Sequence, residues 1–319
     1  MRRLSLCLAT AVVALGAAPA VRAAGGPLFV SQGGKGVANH LNGLHYVAVP
    51  DRAHGTLLET LDAANGVFGW VRLHGSWGIP SIGNGYSTGQ GLSHDGRTLV
   101  LESLGGPYVS PSRFLVVDAR RLKPVRTIVL DGTFSFDALS PDGSMLYLIR
   151  YASAGDLNHY IVRAYDMRAN RLRPGKIADR SEKETRMAGT ALTRTTSATG
   201  RWVYTLYQKL SGEPFVHALD TVHAAAYCID LPENRGLYNI VLSLRNHDRT
   251  LAAHWRSGRP WLRVAFGTWR ISYPGGFVWA WLAGGVGGAV ALLAALALLV
   301  RRRRHQELEE HAGQELGLA

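Results

Sequence analysis

Between residues 27 and 272 the apolar positions form short runs of β-branched and aromatic side chains, separated by Gly, Pro, Asn and Asp. Almost no stretch repeats its apolar residues at the 3.6-residue period of an amphipathic helix. Short runs bounded by turn-forming residues are typical of β-strands. The pattern therefore predicts that residues 27–272 are all-β.

A hairpin pattern recurs along this region. Asp95-Gly96 and Asp142-Gly143 supply residues that tolerate positive φ, as the tight turns between antiparallel strands require. The copies follow one another at steps of about 50 residues, a period typical of repeats of about four strands. The four copies are LSHDGRTLVLE at 92–102, LSPDGSMLYLI at 139–149, SATGRWVYTLY at 197–207 and LRNHDRTLAAH at 244–254.

A second signature alternates with the first and supports the repeat independently. It consists of an apolar strand that ends in Asp, a short turn and another strand. Its four aspartates are Asp62, Asp118, Asp166 and Asp220. Together the two signatures divide the region into units at 30–75, 86–131, 134–178, 187–231 and 237–272, of which the last is incomplete.

The repeat predicts a β-propeller of five four-stranded blades, or six if the early segment 28–49 supplies strands that close the ring. Closure matters because an open array leaves strand edges unpaired. The main alternative is a pair of immunoglobulin-like sandwiches, for which about 100 residues per domain are expected. A period near 50 residues argues against that alternative.

The sequence SPDG followed by an apolar-Tyr-apolar strand, and then an apolar run ending in Asp, resembles the YVTN-type repeat of exported β-propellers. That repeat is similar in style to WD-repeat and lactonase-like propellers. The resemblance covers about 240 residues, and the two central units match it well. The Trp-Asp ending of WD repeats is missing. The resemblance implies architecture more than activity, because one propeller fold hosts many functions.

Both ends of the chain carry targeting signals. Residues 1–23 combine arginines, an apolar run and small residues in the order of a secretory signal peptide. Residues 277–300 contain no charged side chain and are long enough to span a bilayer as one helix. Four arginines open the tail 301–319, and such basic residues stay on the cytoplasmic side. We therefore expect a single-pass protein of the cell membrane, with its N-terminal domain outside and its C-terminus in the cytoplasm.

The formal net charge is +12, and most of the 35 basic residues are arginine, which indicates a GC-rich bacterial genome. An exported basic domain favours acidic partners, such as a wall polymer or anionic lipid, or an envelope protein. Nucleic acid is not expected outside the membrane. The simpler alternative is that the charged side chains are spread over a solvated surface and mark no partner.

No motif identifies a reaction. Ser87 lies in a Gly-x-Ser-x-Gly pattern, but a nucleophile elbow needs a helix after it, and a strand is predicted there. The histidines are dispersed and lack the short spacings of zinc sites. We therefore predict no catalytic residue, no metal site and no cofactor.

Two groups of residues are candidates for ligand binding. Trp77 and Tyr86 lie in the glycine-rich segment 75–91, which we expect to form an exposed loop between blades, where binding surfaces are often built. Gln90, Asp137 and Arg194 each stand three residues before the serine of a hairpin copy. In a propeller that strand is innermost, so these three side chains could form a polar cluster at the central channel. Hydrogen bonds between blades are the alternative role for the cluster.

The sequence thus predicts a membrane-anchored, extracytoplasmic β-propeller that acts as a binding or scaffold module for a protein or envelope ligand. The first alternative is an exported propeller enzyme, a hydrolase or lactonase-like protein that uses polar residues of the central channel. A second alternative is a signalling or secretion accessory that acts through its membrane helix.

Overall fold

The computed structural model describes residues 29–52, 55–82, 89–179, 181, 186–232 and 236–274. The predicted signal peptide 1–23, membrane span 277–300 and tail 301–319 lie outside these residues. Across the described ranges, no helix is both long and apolar enough to cross a membrane. The chain divides into two compact units, residues 1–238 and residues 239–319.

The described residues form five sheets, in each of which four successive antiparallel strands pair in chain order. Sheet I and sheet II belong to the first unit. Sheet I consists of β2 (Val37–Ala38), β3 (His45–Asp51), β4 (Gly55–Leu61) and β5 (Val67–His74). Sheet II consists of β6 (Trp77–Ser81), β7 (Thr98–Ser103), β8 (Ser112–Asp118) and β9 (Lys123–Leu130), and β1 (Phe29–Ser31) pairs with β6 at its free edge.

Sheets III and IV complete the first unit, and sheet V forms the second. Sheet III consists of β10 (Phe134–Leu139), β11 (Met145–Ser153), β12 (Asp156–Asp166) and β13 (Arg171–Leu172), with β14 (Met187–Ala188) paired to β12. Sheet IV consists of β15 (Thr190–Thr196), β16 (Trp202–Gln208), β17 (Pro214–Asp220) and β18 (Ala225–Asp230). Sheet V consists of β19 (Ile240–Arg245), β20 (Thr250–Trp255), β21 (Pro260–Ala265) and β22 (Arg270–Ser272).

Each of the five sheets corresponds to one of the five repeat units that the sequence predicts, with two differences in the bounds. β6 lies before the predicted start of the second unit at residue 86, and β14, which falls in the predicted fourth unit, pairs with sheet III. One sheet per repeat is incompatible with two immunoglobulin-like sandwiches. The early segment 28–49 makes no separate blade in its described part, because β1 joins sheet II and the remainder opens sheet I. The six-blade alternative therefore loses the segment on which it depended.

The first repeat signature is a hairpin turn held by a serine hydroxyl. In sheet II, Ser93 donates to Asp95 Oδ1 at 2.6 Å and accepts from the Thr98 N–H at 2.9 Å. The Gly96 N–H donates to the Ser93 carbonyl at 2.9 Å, and Gly96 has φ 66°. Ser140 forms the same bonds in sheet III. The serine, the acidic residue and the glycine therefore each stabilise the turn for a separate physical reason. In sheet IV, Thr199 takes the place of the acidic residue.

The second signature is a turn held by the aspartate at the end of the third strand. In sheet III the Asp166 carboxylate accepts from the backbone N–H groups of Arg168 at 2.9 Å and Ala169 at 2.8 Å. The Ala169 bond is the main cause that lowers the pKa of Asp166. Equivalent pairs of backbone bonds reach Asp118 and Asp220, whereas Asp62 accepts from the second and fourth residues after it, Ala64 and Gly66.

Sheets I to IV pack face to face in chain order through three apolar cores. Alternate residues of one strand serve different cores, because successive side chains point to opposite faces of a sheet. On β11, Leu146 and Leu148 pack against sheet II, whereas Tyr147 and Ile149 pack against sheet IV. A third core joins sheets I and II. This successive stacking of four-stranded sheets is the arrangement of propeller blades.

A recurring hydrogen bond joins each of these sheets to the next. The Tyr46 hydroxyl of sheet I donates to the Ala119 carbonyl of sheet II at 3.1 Å, and the Tyr147 hydroxyl of sheet III donates to the Thr221 carbonyl of sheet IV at 2.8 Å. Both acceptors directly follow a signature aspartate. Between sheets II and III an arginine replaces the tyrosine, because Arg126 donates to the Met167 carbonyl. The Asp turn therefore also presents the acceptor that fixes the neighbouring sheet.

The Tyr147→Phe variant tests this contact. It keeps the ring and removes the donor to the buried Thr221 carbonyl, so we expect the free energy of unfolding to fall by about 1–2 kcal/mol. Urea unfolding of the full-length chain in detergent measures the change. Tyr108→Phe is the control, because Tyr108 is 63% exposed. Equal midpoints for the two variants would show that the bond adds no stability.

Candidate functional site

The first unit contains a pocket to which four sheets contribute, here named the inner pocket. Its volume is about 480 Å³. The walls come from β2 and the following turn in sheet I, from the approach to the hairpin in sheet II, and from the first strands of sheets III and IV. Its lining residues include Val37, His40, Gln90, Leu92, His94, Phe136, Ala138, Thr196, Ala198 and Val203. No Asp, Glu, Lys or Arg lines it. The surface therefore suits a ligand that combines apolar area with uncharged polar groups.

Two stacked histidines form part of the wall. The ring centroids of His40 and His94 lie 4.3 Å apart with 27° between the ring planes. Burial is the main cause that lowers the pKa of His94, and the charge that His40 would carry lowers it further. His94 therefore favours the neutral form, in which one ring nitrogen donates and the other accepts. Sequence analysis had no signal for this pair, because the two histidines are far apart in the chain.

A close backbone approach keeps the pocket wall in place beside His94. Gly200 has φ 73°, and a Cβ built on it would lie 2.5 Å from the His94 Cβ. Only glycine fits this contact. The hairpin turn of sheet IV can therefore reach the hairpin turn of sheet II, and both contribute to the inner pocket.

Gln90, the first of the three predicted channel residues, does line the inner pocket. Its backbone N–H donates to the Pro80 carbonyl at 2.6 Å, which places it beside β6. The side chain is half-buried. Its role in ligand binding stays a prediction, and its position is compatible with that role.

Asp137 and Arg194 lie together, but in a buried ion pair between sheets III and IV. Their side chains are 1% and 3% exposed. The Arg194 guanidinium donates to both the carboxylate and the backbone carbonyl of Asp137, and its Nε donates to Thr205 Oγ1 at 2.8 Å. Asp137 stands where the pairing of β10 with β11 is irregular. The pair thus matches the alternative of a hydrogen bond between blades, and neither residue lines the inner pocket.

Further polar side chains surround this ion pair. His217 is the register partner of Thr205 on the adjacent strand, and its ring lies edge-on to Tyr207 with centroids 6.3 Å apart. Burial lowers the pKa of His217 to about 4. Burial likewise raises the pKa of Tyr207 far above its usual range. These groups are therefore neutral at physiological pH.

The expectation that Trp77 lies in an exposed loop is wrong. Trp77 opens β6 and is 6% exposed, packed in the core between sheets I and II. Its indole N–H donates to the His74 carbonyl at 2.7 Å, which satisfies the one polar group of the ring. The glycines around it suggested a loop, but residues 77–81 are a buried strand. Tyr86 and Ser87 lie outside the described residues.

A buried carboxyl group lies between sheets II and III. Glu102 is on β7, and its Oε2 accepts from the Phe136 N–H at 2.9 Å. Burial raises the pKa of Glu102 to about 8. The carboxyl group is therefore largely protonated at neutral pH. Phe136 also lines the inner pocket, so Glu102 supports the wall of the pocket without entering it.

The part of the chain that the structure describes contains no group of three or more His, Cys, Asp or Glu residues that could hold a metal ion.

No protein-family model matches the chain, and no curated protein matches its sequence. Among solved structures, it is similar to the dihydro-heme d1 dehydrogenase NirN in complex with DHE, at 15% identity and TM-score 0.44, covering 72% of this chain and 43% of that one. The β-propeller domain of Cps50 (Swd1) from Myceliophteria thermophila gives 14% and 0.41, over 71% and 65% of the two chains. TolB from Acinetobacter baumannii gives 10% and 0.41, over 69% and 50%. The chain thus spans less than two thirds of each of these proteins.

The Asp137–Arg194 pair gives a stability prediction. Asp137→Ala leaves a buried guanidinium without its carboxylate, so we expect a loss of about 3–5 kcal/mol. Asp137→Leu combined with Arg194→Met removes both charges and should cost much less. Urea unfolding measures both variants. His159→Ala, which breaks the exposed pair with Asp156 and leaves the backbone bonds to that carboxylate in place, is the control and should change little. A double variant as unstable as Asp137→Ala would contradict the account.

Glu102 gives a pH prediction. Its pKa is raised in the folded chain from 4.5 to about 8, so its contribution to stability is fully present below pH 4.5 and falls as the pH rises to 8. Glu102→Gln removes this dependence, so the variant should gain stability relative to the parent chain between pH 5 and 8.5. Thermal unfolding across that range measures the difference. The exposed Glu213→Gln should leave the slope unchanged, and parallel profiles for Glu102→Gln would refute the raised pKa.

Proposed function

We propose that this chain is an exported binding module of the YVTN-type propeller class, anchored in the cell membrane by residues 277–300. In this proposal the inner pocket receives an uncharged, partly apolar group of an envelope protein or polymer. The module needs no catalytic step. The observation that carries the proposal is a pocket built from four repeats whose lining has no acidic or basic residue apart from two histidines.

The way the pocket is built supports a binding role. Its walls belong to the first strands and hairpin turns of the sheets, and these are held by the repeated serine and glycine contacts. A rigid wall loses little conformational freedom when a ligand binds, which favours affinity. The residue after the turn serine differs between the repeats, and in two of the sheets it faces this pocket. His94 in sheet II and Ala198 in sheet IV both follow the turn serine and both line it.

The membrane anchor follows from the length and composition of residues 277–300 and from the arginines after them. The signal peptide 1–23 would deliver the sheets to the outer side of the membrane. An anchored pocket would hold its ligand close to the bilayer, which suits a scaffold of the cell envelope. Both the anchor and the export can be tested by measuring, in living cells, on which side of the membrane each end of the chain lies.

A photo-crosslinking amino acid at Ala198 tests the binding role. The position tolerates a large side chain, because His94 occupies the same place in the turn of sheet II. We expect a crosslinked adduct in the native envelope that is absent when the reagent replaces Ala152, an exposed alanine of β11. Mass spectrometry of the adduct then identifies the ligand.

A second variant links the adduct to the pocket. Gln90→Ala combined with His94→Ala removes two polar groups of the wall and should reduce the adduct at Ala198 several-fold. Identical adducts from Ala198 and Ala152, or an Ala198 adduct that is indifferent to the double change, would overturn the proposal.

A further inference from the structure

A second groove lies where the turns of sheet II meet sheet III, and it is here named the arginine groove. Its volume is about 600 Å³. Gly143 and Met167 form its wall on the side of sheet III. It shares no lining residue with the inner pocket, so it is a separate feature of the first unit. The arginines that line it are Arg97, Arg120, Arg121 and Arg126.

Hydrogen bonds hold the walls of the arginine groove together. The Asp95 N–H, in the hairpin turn of sheet II, donates to the Pro141 carbonyl of sheet III at 3.0 Å. The Arg120 guanidinium lies over the same turn, 3.5 Å from the Asp95 carbonyl oxygen. Arg97 is beside it, because its Nε lies 3.8 Å from the Asp95 carboxylate. The two guanidinium groups are therefore brought to one side of the groove before any ligand binds.

The carboxylates near the groove are engaged in their own turns. Asp118 Oδ1 accepts from the backbone N–H groups of Arg120 and Arg121, and its Oδ2 accepts from the Arg121 guanidinium at 2.8 Å. Asp95 and Asp142 accept from the turn serines of their hairpins at 2.6 Å and 2.7 Å. These bonds fix the carboxylates in place, so they are not free to turn toward other arginines.

The charges around the groove leave an excess of positive charge. Each of the three carboxylates has an arginine of its own: Asp118 has Arg121 at 2.8 Å, Asp95 has Arg97 at 3.8 Å and Asp142 has Arg168 at 3.9 Å. Arg120 and Arg126 form no ion pair with a carboxylate of the described residues. The groove therefore keeps two guanidinium charges that the surrounding side chains do not balance.

Arg126 is the more informative of these two arginines. It is half-buried, its guanidinium donates to the Met167 carbonyl, and its buried Nε has no hydrogen-bond partner within the described ranges. Tyrosine hydroxyls bind the corresponding carbonyls at the other two contacts between sheets, so this bond does not require a charge. A partly buried charge without a counter-ion lowers stability. An anion in the groove would offset that cost.

We propose that the arginine groove binds a dianionic phosphate group, either as free phosphate or as a phosphate monoester. A monoester carries about −1.5 to −2 charge at pH 7 and three acceptor oxygens, which matches the two unbalanced guanidinium groups. Arginine binds phosphate oxygens in a two-pronged geometry. A single carboxylate would balance only one of the two charges. The proposal depends neither on the inner pocket nor on the predicted membrane anchor.

Isothermal titration calorimetry of the full-length chain in an uncharged detergent tests the proposal. We expect glycerol 3-phosphate to bind at one saturable site. Dimethyl phosphate is a monoanion with the same phosphorus centre, and it should bind about tenfold more weakly or less, because it offers half the charge. High salt should weaken both. A parallel titration with inorganic phosphate distinguishes the two sources, since the tighter of the two ligands identifies which one the groove accommodates.

A matched pair of variants assigns the binding to the groove. Arg120→Gln removes an unbalanced guanidinium and should weaken the binding of glycerol 3-phosphate by about tenfold. Arg113→Gln removes the same charge from an exposed arginine of β8 that does not line the groove, and it should keep the affinity of the parent chain.

Thermal unfolding tests the role of Arg126. A ligand that binds only the folded chain raises the unfolding midpoint, so saturating glycerol 3-phosphate should stabilise the parent chain. Arg126→Met removes the charge that the ligand balances and should lose most of this increase. The midpoint without ligand shows that the variant has folded.

Several results would overturn the proposal. Glycerol 3-phosphate and inorganic phosphate that both fail to bind exclude a phosphate site. An equal loss of affinity in Arg120→Gln and Arg113→Gln would show attraction to the net charge of the chain alone. Dimethyl phosphate that binds as tightly as the monoester would exclude recognition of a dianion. The adduct at Ala198 reports on the inner pocket and is independent of all these results.

Discussion

Every feature of the first unit depends on the burial of apolar sheet faces against neighbouring sheets. A single sheet of this size cannot hide its apolar faces from water, so sheets I to IV pack in succession and sheets II and III bury both of their faces. Leu146 and Leu148 of one strand pack in one core, and Tyr147 and Ile149 of the same strand pack in the next. The alternation links each core to its neighbours. A shift of one residue in the register of β11 would exchange the two sets and disturb both cores at once.

The two repeat signatures allow neighbouring sheets to stack closely. The serine turn lets the hairpin tip reverse tightly, and its glycine leaves room for the adjacent sheet. A Cβ on Gly143 would lie 2.6 Å from Thr98 Oγ1 of sheet II, so a larger residue would push the two sheets apart. The aspartate turn then exposes a backbone carbonyl that the preceding sheet uses as an acceptor. Local turn chemistry and long-range packing therefore depend on the same few residues.

The fold could be predicted from the sequence because both signatures are local. Turn residues and strand patterns lie within about ten residues of one another, and their repetition reveals the number of sheets. The candidate site was harder to predict from the sequence. The register placed Asp137 and Arg194 in equivalent strands, but it could not show that the two side chains meet each other rather than line the pocket. Trp77 was predicted to lie in a loop because glycines stand on both sides of it, although the short apolar segment that it opens forms a strand. The His40–His94 contact joins different repeats, and no local pattern contains it.

The polar groups of the first unit fall into three environments with different physical consequences. The ion pair of Asp137 and Arg194 is fully buried, so its attraction is offset by desolvation and it serves mainly to fix how two sheets meet. The inner pocket carries neutral donors and acceptors beside apolar walls, so it selects by shape and hydrogen bonds. The turns of sheet II carry the exposed arginines Arg97, Arg120 and Arg121, whose attraction for anions acts at longer range and weakens with salt. The inner pocket and these arginines can act independently, because they share no lining residue.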